Sequence, residues 1–249
     1  MPMSKAPLVL FSDYGWNGPY VGLLHAAIRR ELPDARIIDL QHDAPAFFPR
    51  GAGILLAAQL HWLPPGSVVV AVVDPGVGTA RRGLIVDFGG YTLVGPDNGL
   101  FAPLLAGADR VRTIGWQPAG MSATFHGRDW FAPVAARVAT GAEIETADIH
   151  AAQCVGFDWP ASLYEIIYAD TFGNLMTGVP GAPVPTDRVL SLEGHEIGYA
   201  RTFGEVPPGA PMWHVNSLGL LELAVNQGSA AALLGLSPGD QVPGLEDFA

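Results

Sequence analysis

Val68-Val69-Val70-Ala71-Val72-Val73, an unbroken apolar run closed by Asp74, decides the fold. A strand that is apolar at every position has no solvent face, so it belongs in the middle of a parallel sheet covered on both sides. Upstream, Leu8-Val9-Leu10-Phe11 and Ile37-Ile38-Asp39-Leu40 read as two more strands. Helical patterns separate them over residues 18–32, stopped by Pro33, and from about residue 49 to residue 63, stopped by Pro64-Pro65-Gly66. Downstream, Leu84-Ile85-Val86 and Tyr91-Thr92-Leu93-Val94 flank a Gly-containing turn and predict a hairpin; Val111-Arg112-Thr113-Ile114 predicts a strand and residues 128–140 a helix. This alternation is a βαβ signature, and the fold class is α/β with a mostly parallel sheet.

The periodicity weakens over residues 141–162, and after it short strands follow one another between Pro and Gly turns. Residues 163–169, 188–191, 212–216 and 220–225 read as strands of an antiparallel sheet or small barrel. The expected domains are 1–155 and 156–249.

A hydrophobic content of 49% with 15% charged residues suits a packed globular protein, and no apolar stretch reaches the ~18 residues of a spanning helix. The apolar run after Met1-Pro2-Met3-Ser4-Lys5 is too short for a secretory leader, so a cytoplasmic location and no membrane partner are expected. A net charge of −11 is the wrong sign for neutralising phosphates, which excludes nucleic acid as an expected partner. The single cysteine, Cys154, makes no internal disulfide, and the seven histidines share no ligand spacing, so no metal is expected.

Polar residues concentrate where strands end, the place where open α/β sheets bind ligands. Asp13, after the first strand, suits a vicinal diol such as ribose, or simply a helix-capping turn. Asp74-Pro75-Gly76-Val77-Gly78-Thr79-Ala80-Arg81-Arg82 has glycines for close approach and an arginine that can fold back on Asp74, but it is neither a Walker loop nor a dinucleotide fingerprint. On its own it is equally a turn locked by an ion pair. Gly95-Pro96-Asp97-Asn98-Gly99-Leu100 reads as turn punctuation, and His126 stands just ahead of a helix. In the second domain Asp170 and Asn174 bracket a turn, and an Asn amide offers the donor and acceptor that an adenine edge requires; Asn216-Ser217 marks another strand boundary. Both stretches are also ordinary turn chemistry.

In this order Ser12-Asp13-Tyr14-Gly15 with Tyr20-Val21-Gly22, the Asp74 to Arg82 stretch, the Asn98 turn, Thr124-Phe125-His126-Gly127-Arg128-Asp129, Asp170-Thr171-Phe172-Gly173-Asn174, and Asn216-Ser217 with Ala224-Val225-Asn226 resemble the S-adenosylmethionine hydroxide adenosyltransferase family, relatives of fluorinating and chlorinating enzymes. The resemblance spans the chain. It implies a Rossmann-like N-terminal domain, a C-terminal β-barrel, and a homotrimer with each substrate between neighbouring subunits. It implies hydrolysis of S-adenosylmethionine to adenosine and methionine, with that molecule as substrate and no cofactor. By the family pattern Asp13 holds the ribose hydroxyls, Asp170 the methionine ammonium and Asn174 the adenine. Asp74, Arg81 and His126 match the water-activating triad. Tyr20, Phe172 and Ser217 complete the expected substrate-binding set.

The family often has Thr-Asp-Phe-Gly where this chain has Ser12-Asp13-Tyr14-Gly15, and frequently an Asn where this chain has Gly178. Two rivals share the scaffold. A halogenase would attack the same carbon with halide, although halide-using members do not keep the Asp, Arg and His set together. A non-catalytic binder of S-adenosylmethionine or adenosine would not need a group that orients a nucleophile.

Overall fold

The computed structural model describes residues 6–248, so Met1–Lys5, part of the stretch tested above for a leader, lies outside them. Two compact units emerge: one comprises the chain through Gly53 together with Trp62–Trp159, the other Ile54–His61 with Pro160 onward.

In the first unit the elements follow one another as β1 (Leu8–Ser12), α1 (Tyr20–Glu31), β2 (Ile37–Gln41), α2 (Pro49–Gln59, whose second half falls in the other unit), β3 (Val68–Val72), β4 (Gly83–Phe88), β5 (Tyr91–Pro96), α3 (Ala102–Leu105), β6 (Arg110–Ile114), α4 (Ala132–Thr140) and β7 (Thr146–Asp148). The strands form one sheet in the order β2-β1-β3-β5-β4-β6-β7. β2, β1, β3 and β5 pair in parallel and the remaining pairings are antiparallel, which leaves five of the seven strands running in one direction. The sheet is therefore mixed, mostly parallel in strand direction, with an antiparallel edge.

Every residue of β1 and β3 is buried, as the unbroken apolar runs predict. Leu24 and Ile28, one helical turn apart on α1, join that core together with Trp130, Phe131 and the buried alanines of α4. α4 ends at Gly141, whose φ of +70° makes the left-handed cap that glycine adopts without steric cost.

The β2-β1-β3 order puts a topological switch between β1 and β3, since the chain leaves β1 on one side and returns on the other. Ser12 lies opposite Val72 in register. Asp13 and Asp74 consequently leave adjacent parallel strands at the same end of the sheet.

The helix expected over residues 128–140 begins as a π turn, Gly127–Phe131, before α4. A π turn admits one extra residue per turn and is common at functional sites. Here it follows directly on His126.

The second unit holds β8 (Leu163–Ala169), β9 (Leu175–Pro180), β10 (Leu190–Leu192), β11 (His195–Ile197), β12 (Pro211–Val215), β13 (Leu220–Val225) and α5 (Ala230–Leu234). Four strands make an antiparallel sheet ordered β12-β13-β9-β8, and β10-β11 form a separate ribbon. Among the described residues no pairing of β8 with β12 closes a barrel. The sequence reading missed β9, an inner strand of this sheet, because Gly178 and Pro180 in Leu175-Met176-Thr177-Gly178-Val179-Pro180 read as turn residues. Leu163 packs where a side chain at position 178 would stand, so the glycine serves close strand approach. Trp213, Leu221, Leu223, Val179 and Leu175 are among the residues of the core beneath the sheet.

No helix among the described residues is long and apolar enough to cross a membrane.

Candidate active site

In the first unit the segment after β3 turns back on itself. Val77 N–H donates to the Asp74 carbonyl (3.2 Å), Thr79 N–H to the Gly76 carbonyl (3.2 Å), and the Thr79 hydroxyl to that same carbonyl (2.7 Å). Gly78 sits at φ +82°, and a Cβ there would stand 2.6 Å from the Ala123 carbonyl oxygen. Only glycine lets this turn lie so close to the segment that carries His126.

The turn returns Arg81 onto Asp74. Its Nε lies 2.9 and 3.0 Å from the two carboxylate oxygens, and Nη2 pairs with Oδ2. Both side chains are buried, at 8% and 4% exposure, so the ion pair replaces most of the hydration each group gave up. Of the two arginines that could have folded back, Arg82 instead pairs with Asp97, its Nε 2.8 Å from Oδ2. The Arg81 guanidinium also lies over the rings of Phe131 and Trp130, at 5.0 and 5.6 Å from their centroids.

Arg81 Nη2 is 2.8 Å from His126 Nδ1. An arginine always donates, so Nδ1 accepts and the proton of the neutral ring sits on Nε2. Burial, and then the Arg81 charge, holds His126 below its ordinary value, keeping it neutral. Asp74, Arg81 and His126 thus form one continuous hydrogen-bonded array.

Asn98 belongs to the same array, a role the sequence did not reveal. Its Oδ1 accepts from Leu100 N–H (3.2 Å), which turns Nδ2 toward the Val73 carbonyl (2.9 Å) and Asp74 Oδ1 (3.4 Å). The Asn-Gly turn carries the only sequence signal for it, one shared with ordinary turns.

Asp13 is partly buried; burial pushes its carboxyl up, and the nearby Asp74 charge adds to this against backbone hydrogen bonds from Asp13 and Phe47. The loop carrying it is tied down through Ser12, whose hydroxyl meets His42 Nδ1 at 2.7 Å, while His42 Nε2 meets Asp39 at 3.0 Å. Tyr14, Tyr20 and Phe125 pack as an aromatic cluster with centroids 5.3 to 5.8 Å apart, linking the segments of Asp13 and His126. Among the predicted residues, Asp13, Tyr20, Asp74, Arg81 and His126 therefore share one end of this unit.

The other four, Asp170, Phe172, Asn174 and Ser217, line a single cavity of about 840 Å³ in the second unit. Asp170 Oδ1 accepts from Phe172 N–H and Asn174 N–H (both 2.9 Å), and Oδ2 from Asn174 Nδ2 (2.9 Å). This is an Asx turn that fixes the orientation of the carboxylate at the cavity wall. Phe172 projects with 76% of its surface exposed, and Phe203 is a second aromatic lining residue.

Comparison with known proteins bears on both ends of the chain. Residues 8–148 match the model of the SAM hydroxide adenosyltransferase N-terminal domain and residues 164–243 that of its C-terminal domain. A Salinispora arenicola protein named (R)-S-adenosyl-L-methionine hydrolase is 41% identical over 96% of this chain and 98% of its own length. A Thermus thermophilus protein of the same name is 41% identical over 94% and 97%. An uncharacterized conserved protein from Thermotoga maritima has a solved structure that aligns with a TM-score of 0.78 at 32% identity, covering 94% of this chain and 97% of that one. With both domain models matched in order and relatives of this similarity along nearly the whole length, the chain belongs to the SAM hydroxide adenosyltransferase family.

Proposed function

We propose that the protein hydrolyses S-adenosylmethionine to adenosine and methionine through attack of water on the ribose 5′ carbon. The buried Asp74–Arg81–His126 array carries the reading, in a chain about two-fifths identical to relatives named as hydrolases of this substrate. Those names favour water over halide as the nucleophile.

The bond from C5′ to the sulfonium sulfur breaks as the C–O bond forms. The electron pair leaves on sulfur as a neutral thioether, and one water proton is released. With so good a leaving group, catalysis is alignment of a water on the face opposite sulfur and stabilisation of the hydroxide character it develops. His126 carries its proton on Nε2, so it acts as a donor that orients the water oxygen rather than as the base. Arg81 holds that tautomer and supplies positive charge. Asp74 keeps Arg81 in place and is the anionic acceptor toward which the water proton moves.

Asp13 holds the ribose diol, and Tyr20 flanks it. The cavity of the second unit takes the adenine against Phe172 and Asn174, with Asp170 and Ser217 toward the methionine end. The protein works as a cytoplasmic homotrimer with each site shared by neighbouring copies; it needs no cofactor or metal. Exposed aromatic side chains, Trp16 and Phe47 in the first unit and Phe172 in the second, support the oligomer.

The relatives' names carry an (R) descriptor. Because L already specifies the α-carbon, (R) falls on the pyramidal sulfur, and we extend that epimer preference to this chain. Incubation with S-adenosylmethionine containing both sulfonium epimers, with and without chloride, followed by mass spectrometry tests the reading: adenosine in both cases supports it, and a 5′-chlorinated nucleoside or no consumption of either epimer contradicts it.

A further inference from the structure

The second-unit cavity contains a polar cluster that the reaction above does not use. His214 on β12 lies opposite Glu222 on β13, and both line the cavity. Glu222 is 4% exposed, and its carboxylate is met on both sides: His214 Nε2 lies 2.9 Å from Oε1 and Asn216 Nδ2 lies 2.9 Å from Oε2. The Asn216 amide is itself locked, since its Oδ1 accepts from Leu218 N–H (2.9 Å) and Leu220 N–H (3.1 Å).

This arrangement fixes a proton. Asn216 must donate to Glu222, and the carboxylate can only accept from His214, so the neutral His214 ring carries its hydrogen on Nε2 and keeps a lone pair on Nδ1. The Asn174 amide is oriented in the same way: Nδ2 donates one hydrogen to Asp170, which fixes Oδ1 as the accepting end. The two carboxylates thus set the accepting atom of each side chain, Nδ1 of His214 and Oδ1 of Asn174. The rings of Phe172 and Phe203 line the same cavity, the latter with its centroid 5.4 Å from that of His214. A flat ligand edge that donates hydrogen bonds fits such a wall.

We propose that His214 is a further specificity-determining residue, whose Nδ1 accepts from the exocyclic amine of the substrate's purine, and that Glu222 is the positioning residue that sets its tautomer. The inference rests on the reading that the purine occupies this cavity. It selects 6-aminopurines against 6-oxopurines, which carry an acceptor oxygen at that place.

Glu222→Gln separates this from a structural role. Asn216 still demands an acceptor, so the introduced amide places its oxygen toward Asn216 and its NH₂ toward His214. His214 Nε2 must then accept, its proton moves to Nδ1, and the cavity presents a donor where it had an acceptor. His214→Phe removes the group while keeping a planar ring.

The test is calorimetric titration of full-length protein with adenosine and inosine, with thermal melts to establish folding, alongside turnover of S-adenosylmethionine and its deaminated analogue S-inosylmethionine. The wild type is expected to favour the amino form about tenfold or more, the factor carried by one buried hydrogen bond. His214→Phe should cut that ratio about tenfold, and Glu222→Gln should shift it toward the oxo form by a similar factor or more. If Glu222→Gln fails to fold, His214→Phe decides. An unchanged ratio in the folded variants overturns the proposal, as does a wild type that binds neither nucleoside. A wild type that binds adenosine yet leaves S-adenosylmethionine intact overturns the hydrolase reading instead, and the nucleoside ratios still decide the role of His214.

Discussion

Arg81 Nη2 lies 2.8 Å from Nδ1 of His126 while the same guanidinium grips both oxygens of Asp74. One planar group thereby sets the position of an anion and the tautomer of an imidazole. A lysine, a point charge on a flexible stem, cannot make both contacts with fixed geometry. Arg81→Lys should therefore lower kcat about 10²- to 10⁴-fold with a much smaller change in KM, read by steady-state kinetics on protein whose melt stays close to wild type. Arg81→Ala should also destabilise the fold by about 3–5 kcal/mol, because it strands the buried Asp74 charge, and denaturant titration checks that.

His126 is held below its ordinary value of 6.5 by burial and by Arg81, and only the neutral ring can accept from Arg81 at Nδ1. In the folded state protonation occurs below pH 6.5; in the unfolded state it occurs near it. The neutral form thus contributes stability that is complete above the unfolded value and is lost as pH falls through the lower, folded one. The expected kcat/KM is flat above pH 6.5 and declines on the acid side at an apparent pKa below 6.5, with the melting temperature falling in the same window. His126→Asn should abolish that acid limb, and a limb that persists in the variant would assign it to another group.

Gly78→Ala should destabilise by about 1–3 kcal/mol, since it puts a side chain at a positive φ and against the Ala123 carbonyl. Relaxing that contact moves the segment leading to His126, so activity should fall by more than the lost stability accounts for. Parallel melts and rate measurements separate the two effects.

His42 is wholly buried between Ser12 and Asp39. His42→Ala leaves the Ser12 hydroxyl without that partner and opens a cavity under the Asp13 loop. A loss of about 1–3 kcal/mol is expected, together with a rise in KM larger than the drop in kcat, because ribose placement suffers before the nucleophile does.

What was legible in the sequence divides by mechanism. β1, β3 and β13 could be read because every residue in them is buried and apolar runs of that kind leave few alternatives, and the polar residues at their ends followed. β9 was hidden by Gly178 and Pro180, whose usual meaning is a turn. The π turn before α4 leaves no periodic signal, since it alters the winding and not the apolar pattern. Asp74 and His126 could be singled out as residue types, whereas the choice of Arg81 over Arg82 rested on the family resemblance, because turn geometry decides it and spacing does not. The roles of Asn98, His214 and Glu222 were not legible for the same reason: each acts through a hydrogen-bond partner on another segment, and spacing does not encode which atom faces which.

The central claim is direct attack of water on the 5′ carbon, and turnover of S-adenosylmethionine in oxygen-18 water tests it. The account predicts one heavy oxygen per turnover, located on the 5′ hydroxyl of adenosine and absent from methionine. Adenosine without the label would contradict it, and so would label carried by the methionine carboxylate.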